Sequence, residues 1–213
     1  MTDEENNRQW RKYLYPGTDI LINNQGIKDK DKLKEVEASN SFNRLMELQD
    51  KPISLGCGKE HLNAIHKYLF EDVYPFAGQY RIVDIQKKEG TFLAIDSSKD
   101  IDRYLDELFE EINKELMQCR SRFDFADILA KLYTQLIYCH PYREGNGRTV
   151  REFLREFSLK KSKETLHEEM ELDWTKIDKE ELNRNIAFAH LFPGNTARLF
   201  EKALISKEKE MNM

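Results

Sequence analysis

The segment from His140 to Arg151 holds the residues best suited to chemistry, in the order His-Pro-Tyr-Arg-Glu-Gly-Asn-Gly-Arg-Thr-Val-Arg. Gly145 and Gly147 flank Asn146, and glycine permits backbone conformations that other residues rarely adopt. Several N–H groups of such a loop can therefore point at one ligand atom. A helix predicted to begin after the glycines adds its free N-terminal N–H groups and the positive end of its dipole. Together these features predict a binding site for a phosphate group.

Four side chains of the same segment match the needs of phosphate transfer. Arg148 and Arg151 lie three residues apart on one helix face, where both can bind phosphate oxygens. Glu144 offers a carboxylate to a phosphate-bound Mg²⁺. His140 is the candidate general base, because histidine is the side chain whose ordinary pKa lies closest to neutrality. The alternative is that the segment is only a structural helix–helix turn with incidental charges, but the convergence of these groups favours a phosphate-transfer site. No P-loop pattern occurs, and glycines that join two helices exclude a Rossmann turn.

This segment resembles the signature of the Fic family, HPFxxGNGRxxR, at every specified position except that Tyr142 stands in place of Phe. The stretch from Tyr74 to Arg81 and the residues after it also resemble that family. The resemblance implies an all-α fold, a Fic-type helical core with a small β-hairpin flap. We predict a single domain over residues 1–213, with a core over about 50–205, an N-terminal helical extension over 1–49 and a frayed C-terminus over 207–213.

The resemblance further implies transfer of AMP from ATP to a Tyr, Thr or Ser hydroxyl of a target protein, with release of pyrophosphate. ATP would be the co-substrate and Mg²⁺ the cofactor. His140 would deprotonate the target hydroxyl, and Glu144 would hold Mg²⁺ between the α- and β-phosphates. The nucleotide would be bound by the glycine loop, at its α-phosphate, and by two arginines, at its β- and γ-phosphates: Gly145, Asn146, Gly147, Arg148 and Arg151.

The implied flap would pair with an extended segment of the target protein as an added strand. Its predicted target-binding residues are Ile85, Lys87, Lys88, Gly90 and Phe92. Lys87 and Lys88 would approach the nucleotide or the target, or would be ordinary solvated turn charges, and the sequence leaves both interpretations open.

Other functions stay open at this point. A branch of the broader family that resembles Doc transfers phosphate and has lysine where this chain has Gly147, so Gly147 favours AMP transfer. Transfer of another nucleotide monophosphate, or of phosphate, by the same loop is the enzymatic alternative. A non-catalytic Fic-shaped binding module held by a partner is the other, although such a module has no need of His140. For the adenine, the resemblance points to the region of Asn183 and Asn185 without choosing between them.

Many Fic proteins carry an inhibitory helix with the pattern Ser/Thr-x-x-x-Glu-Gly/Asn, whose Glu pairs with the second signature arginine, here Arg151. No segment of this sequence matches the pattern. Degenerate matches at Thr165 with Glu169 and at Ser206 with Glu210 are interpreted as helix-surface charge. We therefore expect a separate small antitoxin-like partner to supply a Glu to Arg151.

Helical spacing of apolar residues predicts the elements that must position the signature. The strongest helix runs from about Asp124 to Tyr138 and ends against His140, and the next begins after the glycines. His61 and His66 are five residues apart, too far round a helix for a metal pair. The other predicted elements are helices over 31–48 and 59–73, a hairpin over 81–95, a helix behind a cap at 97–100, and helices over 179–191 and 195–206.

Composition restricts the setting of the protein. A formal net charge of −5 gives no basic surface for nucleic acid, so we expect no nucleic-acid partner. Three cysteines without a CxxC pair argue against disulfides and zinc and favour a reducing cytoplasm. The acidic N-terminus is unlike a signal peptide, and no apolar run of about 18 residues predicts a membrane span. Secretion as an effector, by a route without a cleavable signal, stays open.

Overall fold

Helices make up most of the structure, a computed structural model that describes residues 2–85, 100–188 and 194–207. Within these ranges there are eight helices: α1 (Asp3–Arg11), α2 (Lys30–Asp50), α3 (Lys59–Phe70), α4 (Ile101–Gln118), α5 (Arg122–Cys139), α6 (Asn146–Leu166), α7 (Lys179–Ala187) and α8 (Gly194–Ala203). One small sheet pairs β1 (Met170–Leu172) with β2 (Leu204–Ser206) in antiparallel fashion. The predicted all-α class is confirmed. No described helix combines the length and apolar character needed to cross a bilayer.

Helix α5 ends at the signature segment and packs against α4, α6 and α8. A capping box fixes its start: the Ser121 hydroxyl accepts from the N–H of Asp124, and the Asp124 carboxylate accepts from the N–H of Ser121. The apolar face of α5 anchors the helix in the core, since burial of one large apolar side chain contributes about 1.5–3 kcal/mol. That face is buried as predicted: Phe125, Ile128, Leu129, Leu132 and Leu136.

Helix α6 begins at the second residue of the glycine loop and packs against α3 and α5. Its predicted inward residues, Val150, Phe153, Leu154 and Phe157, are fully buried. The loop that joins α5 to α6 is therefore fixed at both ends by helices of the core.

The C-terminal elements differ from the sequence prediction. The helix expected over 195–206 ends at Ala203, and the next three residues form β2, with Leu204 opposite Leu172. Pairing with β1 satisfies backbone groups and buries Leu204, so tertiary contacts override the local helical pattern. Helix α7 also ends earlier than predicted, at Ala187, with Phe188 as its C-cap.

Several predictions fall outside the described residues. Residues 81–85, the described part of the predicted hairpin, form bends without a strand. The hairpin itself therefore stays a prediction. Also outside the described ranges are most of the predicted cap at 97–100, the frayed residues 208–213, and Lys87, Lys88, Gly90, Phe92 and Glu210.

A buried arginine closes the end of α5. The Arg81 side chain donates to the carbonyls of His140 (Nε, 2.8 Å), Val83 (Nη1, 2.6 Å) and Cys139 (Nη2, 3.3 Å). The N–H of Arg81 donates to the Pro141 carbonyl at 2.8 Å. The last carbonyls of a helix have no partner within the helix, and here a residue that is only 1% exposed supplies their donors. Arg81 thus lets the chain turn at His140, whose backbone is left-handed with φ 47°.

Replacing Arg81 with Met removes these donors while keeping a side chain of similar length. We expect the free energy of unfolding to fall by about 3 kcal/mol, because an unsatisfied buried polar group costs about 1–3 kcal/mol. Urea denaturation measures the difference. Arg120→Met is the matched control, since Arg120 also donates to carbonyls at a helix end but is exposed. Equal losses in the two variants would contradict a role for burial.

His66 on α3 holds the middle of the same loop. Its Nδ1 accepts a hydrogen bond from the N–H of Gly78 at 2.8 Å, so its Nε2 carries the proton and donates to the Glu144 carbonyl at 3.0 Å. Its ring stacks on that of Tyr142 with the centroids 3.8 Å apart. Burial, assisted by the positive charge of Arg148, lowers the pKa of His66 to about 4. The neutral imidazole is therefore the form that fits this site.

This pKa predicts a specific loss of stability in acid. In the unfolded chain His66 binds a proton near its ordinary pKa of 6.5, whereas in the folded chain it does so only near its lowered pKa of about 4. Stability is therefore complete above pH 6.5 and falls as the pH drops towards 4. We expect the difference in unfolding free energy between the wild type and His66→Gln to change by about 2 kcal/mol between pH 7 and pH 4.5. Gln preserves one donor and one acceptor, so an identical pH profile in both proteins would refute this assignment.

Candidate active site

The turn between α5 and α6 depends on Gly145. Its φ is +77°, and a Cβ at this position would overlap the ring of Phe70. Glycine is therefore required both by conformation and by space. The N–H groups of the first turn of α6 follow immediately, and those groups lack acceptors within the helix. The loop thus presents backbone donors at the positive end of the helix dipole, as the sequence predicts.

The Asn146 side chain is used inside the loop. Its Oδ1 accepts from the N–H of Tyr142 at 2.9 Å, and its Nδ2 donates to the Tyr142 carbonyl at 2.8 Å. Only 3% of the residue is exposed. Its side chain therefore locks the loop conformation, and the group that Asn146 can offer to a nucleotide is its backbone N–H.

One cavity of about 440 Å³ unites the predicted catalytic and nucleotide-binding residues. It is also lined by Ile85, at the start of the predicted flap, and by Trp10 and Arg143, for which no role was predicted from sequence. The described residues that line it are Trp10, Ile85, His140, Arg143, Glu144, Gly145, Asn146, Gly147, Arg148 and Arg151. Groups capable of proton transfer, metal binding and anion binding therefore face a single space.

The two signature arginines have different surroundings. Arg148 donates to Ser41 Oγ at 2.8 Å and forms an ion pair with Glu37, and both partners lie on α2. Arg151 is exposed and forms no ion pair within the part of the chain that the structure describes. Its backbone carbonyl accepts from the indole N–H of Trp174 at 2.9 Å. Both arginines also line a second cavity of about 330 Å³ on the side of Trp174.

Helix α1 contributes one wall of the first cavity. The Arg143 guanidinium lies 4.2 Å from the centroid of the Trp10 ring, a cation–π contact. Burial lowers the pKa of Arg143 below its ordinary value. The Asn6 side chain accepts from the N–H of Asp84 at 2.9 Å and donates to the Asp84 carbonyl at 3.1 Å. These contacts join segments far apart in sequence, so local spacing gave no signal for them.

Glu144 is the carboxylate among the described lining residues. The N–H of Gly145 donates to its Oε1 at 3.1 Å, and Arg143 Nη1 lies 4.0 Å from its Oε2. No cluster of three or more metal-binding side chains occurs among the described residues. Mg²⁺ is commonly held by one or two carboxylates together with substrate phosphates. A single partly exposed carboxylate beside an anion site fits an ion that arrives with a nucleotide.

The one departure from the signature is accommodated by a buried hydrogen bond. The Tyr142 hydroxyl donates to Asn63 Oδ1 at 2.7 Å, and Asn63 Nδ2 donates to the Tyr80 hydroxyl at 3.0 Å. Burial raises the pKa of Tyr142 well above its ordinary value, which keeps the hydroxyl protonated as a donor. The aromatic ring keeps its packing role, and the extra oxygen has a partner.

The other residues considered from the sequence are not among those that line this cavity. Glu169 pairs with Lys163 at 3.0 Å. Asn183 is exposed on α7 and Asn185 is partly buried there. His61 is buried and pairs with Glu156 at 2.7 Å.

Known proteins resemble this chain over most of its length. Residues 56–158 match the model of the Fic/DOC family. Protein adenylyltransferase VbhT from Bartonella schoenbuchensis is 31% identical over 81% of this chain, which spans only 34% of that protein. The probable protein adenylyltransferase Fic from Escherichia coli is 28% identical, over 81% of this chain and 80% of its own length. The probable protein adenylyltransferase y4lH from Sinorhizobium fredii is 35% identical, over 66% of this chain and 71% of its own length.

Solved structures share the fold. The N-terminal Fic domain of a VirB-translocated effector from Bartonella quintana, solved with bound ADP, has a TM-score of 0.79 at 25% identity, covering 95% of this chain and 99% of that one. BepC from Bartonella tribocorum, solved with bound AMPPNP, has a TM-score of 0.74 at 24% identity, covering 92% of this chain and 98% of that one. Signature, fold and relatives agree with the resemblance noted in the sequence, and this chain belongs to the Fic/DOC family.

Proposed function

We propose that this chain is a protein adenylyltransferase that transfers AMP from ATP to a Tyr, Thr or Ser hydroxyl of a target protein. The observation that carries the proposal is the 440 Å³ cavity, which brings an imidazole, a carboxylate, a helix N-terminus and the two signature arginines together. Three relatives named as protein adenylyltransferases support it. So do structural neighbours solved with ADP and with the ATP analogue AMPPNP.

The proposed chemistry assigns one role to each of these groups. His140 accepts the proton of the target hydroxyl, whose oxygen bonds to the α-phosphorus of ATP. The bond from that phosphorus to the oxygen bridging to the β-phosphate breaks, and pyrophosphate leaves. Backbone N–H groups at the start of α6 stabilise the negative charge that develops on the α-phosphate. Arg148 and Arg151 bind the β- and γ-phosphates and so align the leaving group with the attacking oxygen.

Glu144 is the residue proposed to hold Mg²⁺ together with the nucleotide phosphates. When bound, the ion would neutralise phosphate charge that the two arginines balance only in part. The contact between Arg143 and Trp10 fixes the residue before Glu144, which limits where that carboxylate can lie.

The segment from Ile85 to Phe92 is proposed to bind the target as an added strand. Support comes from its described first residue, because Ile85 lines the cavity next to His140. If the flap binds the target through main-chain hydrogen bonds, its own side chains carry little information about which protein is the target. For the same reason the sequence and the cavity are compatible with many target proteins.

The proposed place of action is a reducing cytoplasm, that of the producing cell or of a recipient cell. The three cysteines in the described residues are free thiols. Burial raises the pKa of Cys139 to about 12, which makes it an inert part of the core. ATP is also abundant in such a compartment.

The group that is transferred can be identified with labelled ATP. Adding the chain to a cell lysate should raise the protein-bound label from α-labelled ATP and leave the label from γ-labelled ATP at the level that the kinases of the lysate produce alone. His140→Asn should lower the α-label by about 10²–10⁴-fold, the usual contribution of a general base. Asn tolerates the left-handed backbone of this position. His167→Asn is the matched control, because His167 also follows a helix in that conformation, at φ 56°. Label retained from the γ-position alone would replace AMP transfer with phosphorylation, and unchanged labelling by His140→Asn would remove its role as base.

We further propose that restraint comes from a separate antitoxin-like protein whose Glu pairs with Arg151. Arg151 is exposed, forms no ion pair in the described ranges, and borders the second cavity. Glu169 is already paired with Lys163.

The isolated chain should therefore be active without any mutation. Glu169→Ala and Glu210→Ala should each change the rate of AMP transfer by less than about twofold, the range of ordinary surface substitutions. Incorporation of α-labelled AMP measures the rates. An inactive wild type that becomes active with Glu210→Ala would place the inhibitor inside the chain instead.

A further inference from the structure

The anion-binding Arg148 is held by a helix that lies outside the residues matched by the family model. Glu37 and Ser41 are one turn apart on α2, and both accept hydrogen bonds from the Arg148 guanidinium: Nη2 donates to Glu37 and Nη1 to Ser41. The same carboxylate accepts a second hydrogen bond from the Tyr74 hydroxyl. Helix α2 thereby reaches the wall of the proposed nucleotide cavity.

Both ends of this contact are constrained. The Glu37 side chain is only 13% exposed, and the Arg148 side chain is 24% exposed. The Arg148 guanidinium also lies 4.8 Å from the centroid of the Phe70 ring, which supports it from a further side. Burial and the Glu37 carboxylate raise the pKa of Tyr74, so its hydroxyl remains a donor. One carboxylate oxygen therefore binds Arg148 and the other is fixed by Tyr74.

We propose that Glu37, supported by Ser41 and Tyr74, is a positioning residue that orients Arg148 for the phosphate tail of the nucleotide. An arginine has five N–H donors in a rigid plane, so fixing one edge on α2 orients the rest. A lysine-like flexible charge would gain little from such a contact. The proposal rests on the proposed function, in which Arg148 binds the β- and γ-phosphates.

The two signature arginines differ in whether a carboxylate of the protein binds them. Arg151 has no carboxylate partner within the described ranges, whereas Arg148 is paired with Glu37. A carboxylate beside an anion site lowers its positive charge, so geometry has to compensate for that loss. If Glu37 instead competed with phosphate for Arg148, its removal would tighten nucleotide binding. The two roles therefore predict opposite changes in affinity.

Nucleotide affinity measured by isothermal titration tests the proposal without requiring turnover. Glu37→Ala should weaken binding of ATP and ADP by about tenfold, in line with losing a hydrogen bond to a charged group. AMP lacks the distal phosphates, so its affinity should change by less than about twofold. Glu35→Gln is the matched control, since Glu35 is exposed on the same helix. Glu37→Gln keeps the shape of the side chain and serves where the alanine variant fails to fold.

A double-mutant cycle separates positioning from a general structural role. In an Arg148→Ala background, Glu37→Ala should cause no further loss of ATP affinity, because its effect passes through Arg148. Equal loss in both backgrounds, loss of AMP affinity, unchanged ATP affinity or tighter ATP binding would each overturn the proposal. If the cycle gives the expected coupling while no AMP is transferred to any protein, the proposed activity fails and the positioning role stands.

Discussion

The contacts of Arg81 at the end of α5 are the interaction on which the rest of the site depends. When the N–H groups of a loop point towards a ligand, its carbonyl groups point into the protein. Buried carbonyl groups need hydrogen-bond donors there. The guanidinium of Arg81 supplies three of them from a position that is 1% exposed. With that end closed, His140 adopts a left-handed backbone and the chain enters the glycine loop. The proposed catalytic imidazole and the proposed anion site therefore share one structural cause.

Contacts with α3 and within the loop hold its backbone in one conformation. His66 binds the Glu144 carbonyl, Asn146 binds both backbone groups of Tyr142, and Gly145 lies against Phe70. A site of this kind needs little reorganisation when a charged ligand arrives, which favours electrostatic stabilisation of a reacting phosphate. Because both polar groups of its side chain bind the backbone of Tyr142, Asn146 can offer a ligand only its backbone N–H.

The sequence reveals the parts of the site that are contiguous and misses those that are assembled. The signature and the helices around it could be predicted because α5 and α6 carry strong apolar periodicity. The contacts of Arg81, Glu37 and Trp10 join segments separated by dozens of residues, and no local pattern records such pairings. The same reason explains the C-terminus, where pairing with β1 turns the end of an expected helix into β2. Contacts with residues distant in sequence can override local propensity, and the sequence alone does not show which residues make those contacts.

The Asn6 side chain imitates a neighbouring strand, since its amide oxygen and nitrogen occupy the N–H and the carbonyl of Asp84. One pairing position at the base of the proposed flap is therefore already filled by α1. In the proposed binding mode, a target segment that pairs with this edge would begin its register beyond Asp84, on the side of Ile85, which lines the cavity. The Asn6 amide would then limit how far along this edge a target segment can pair.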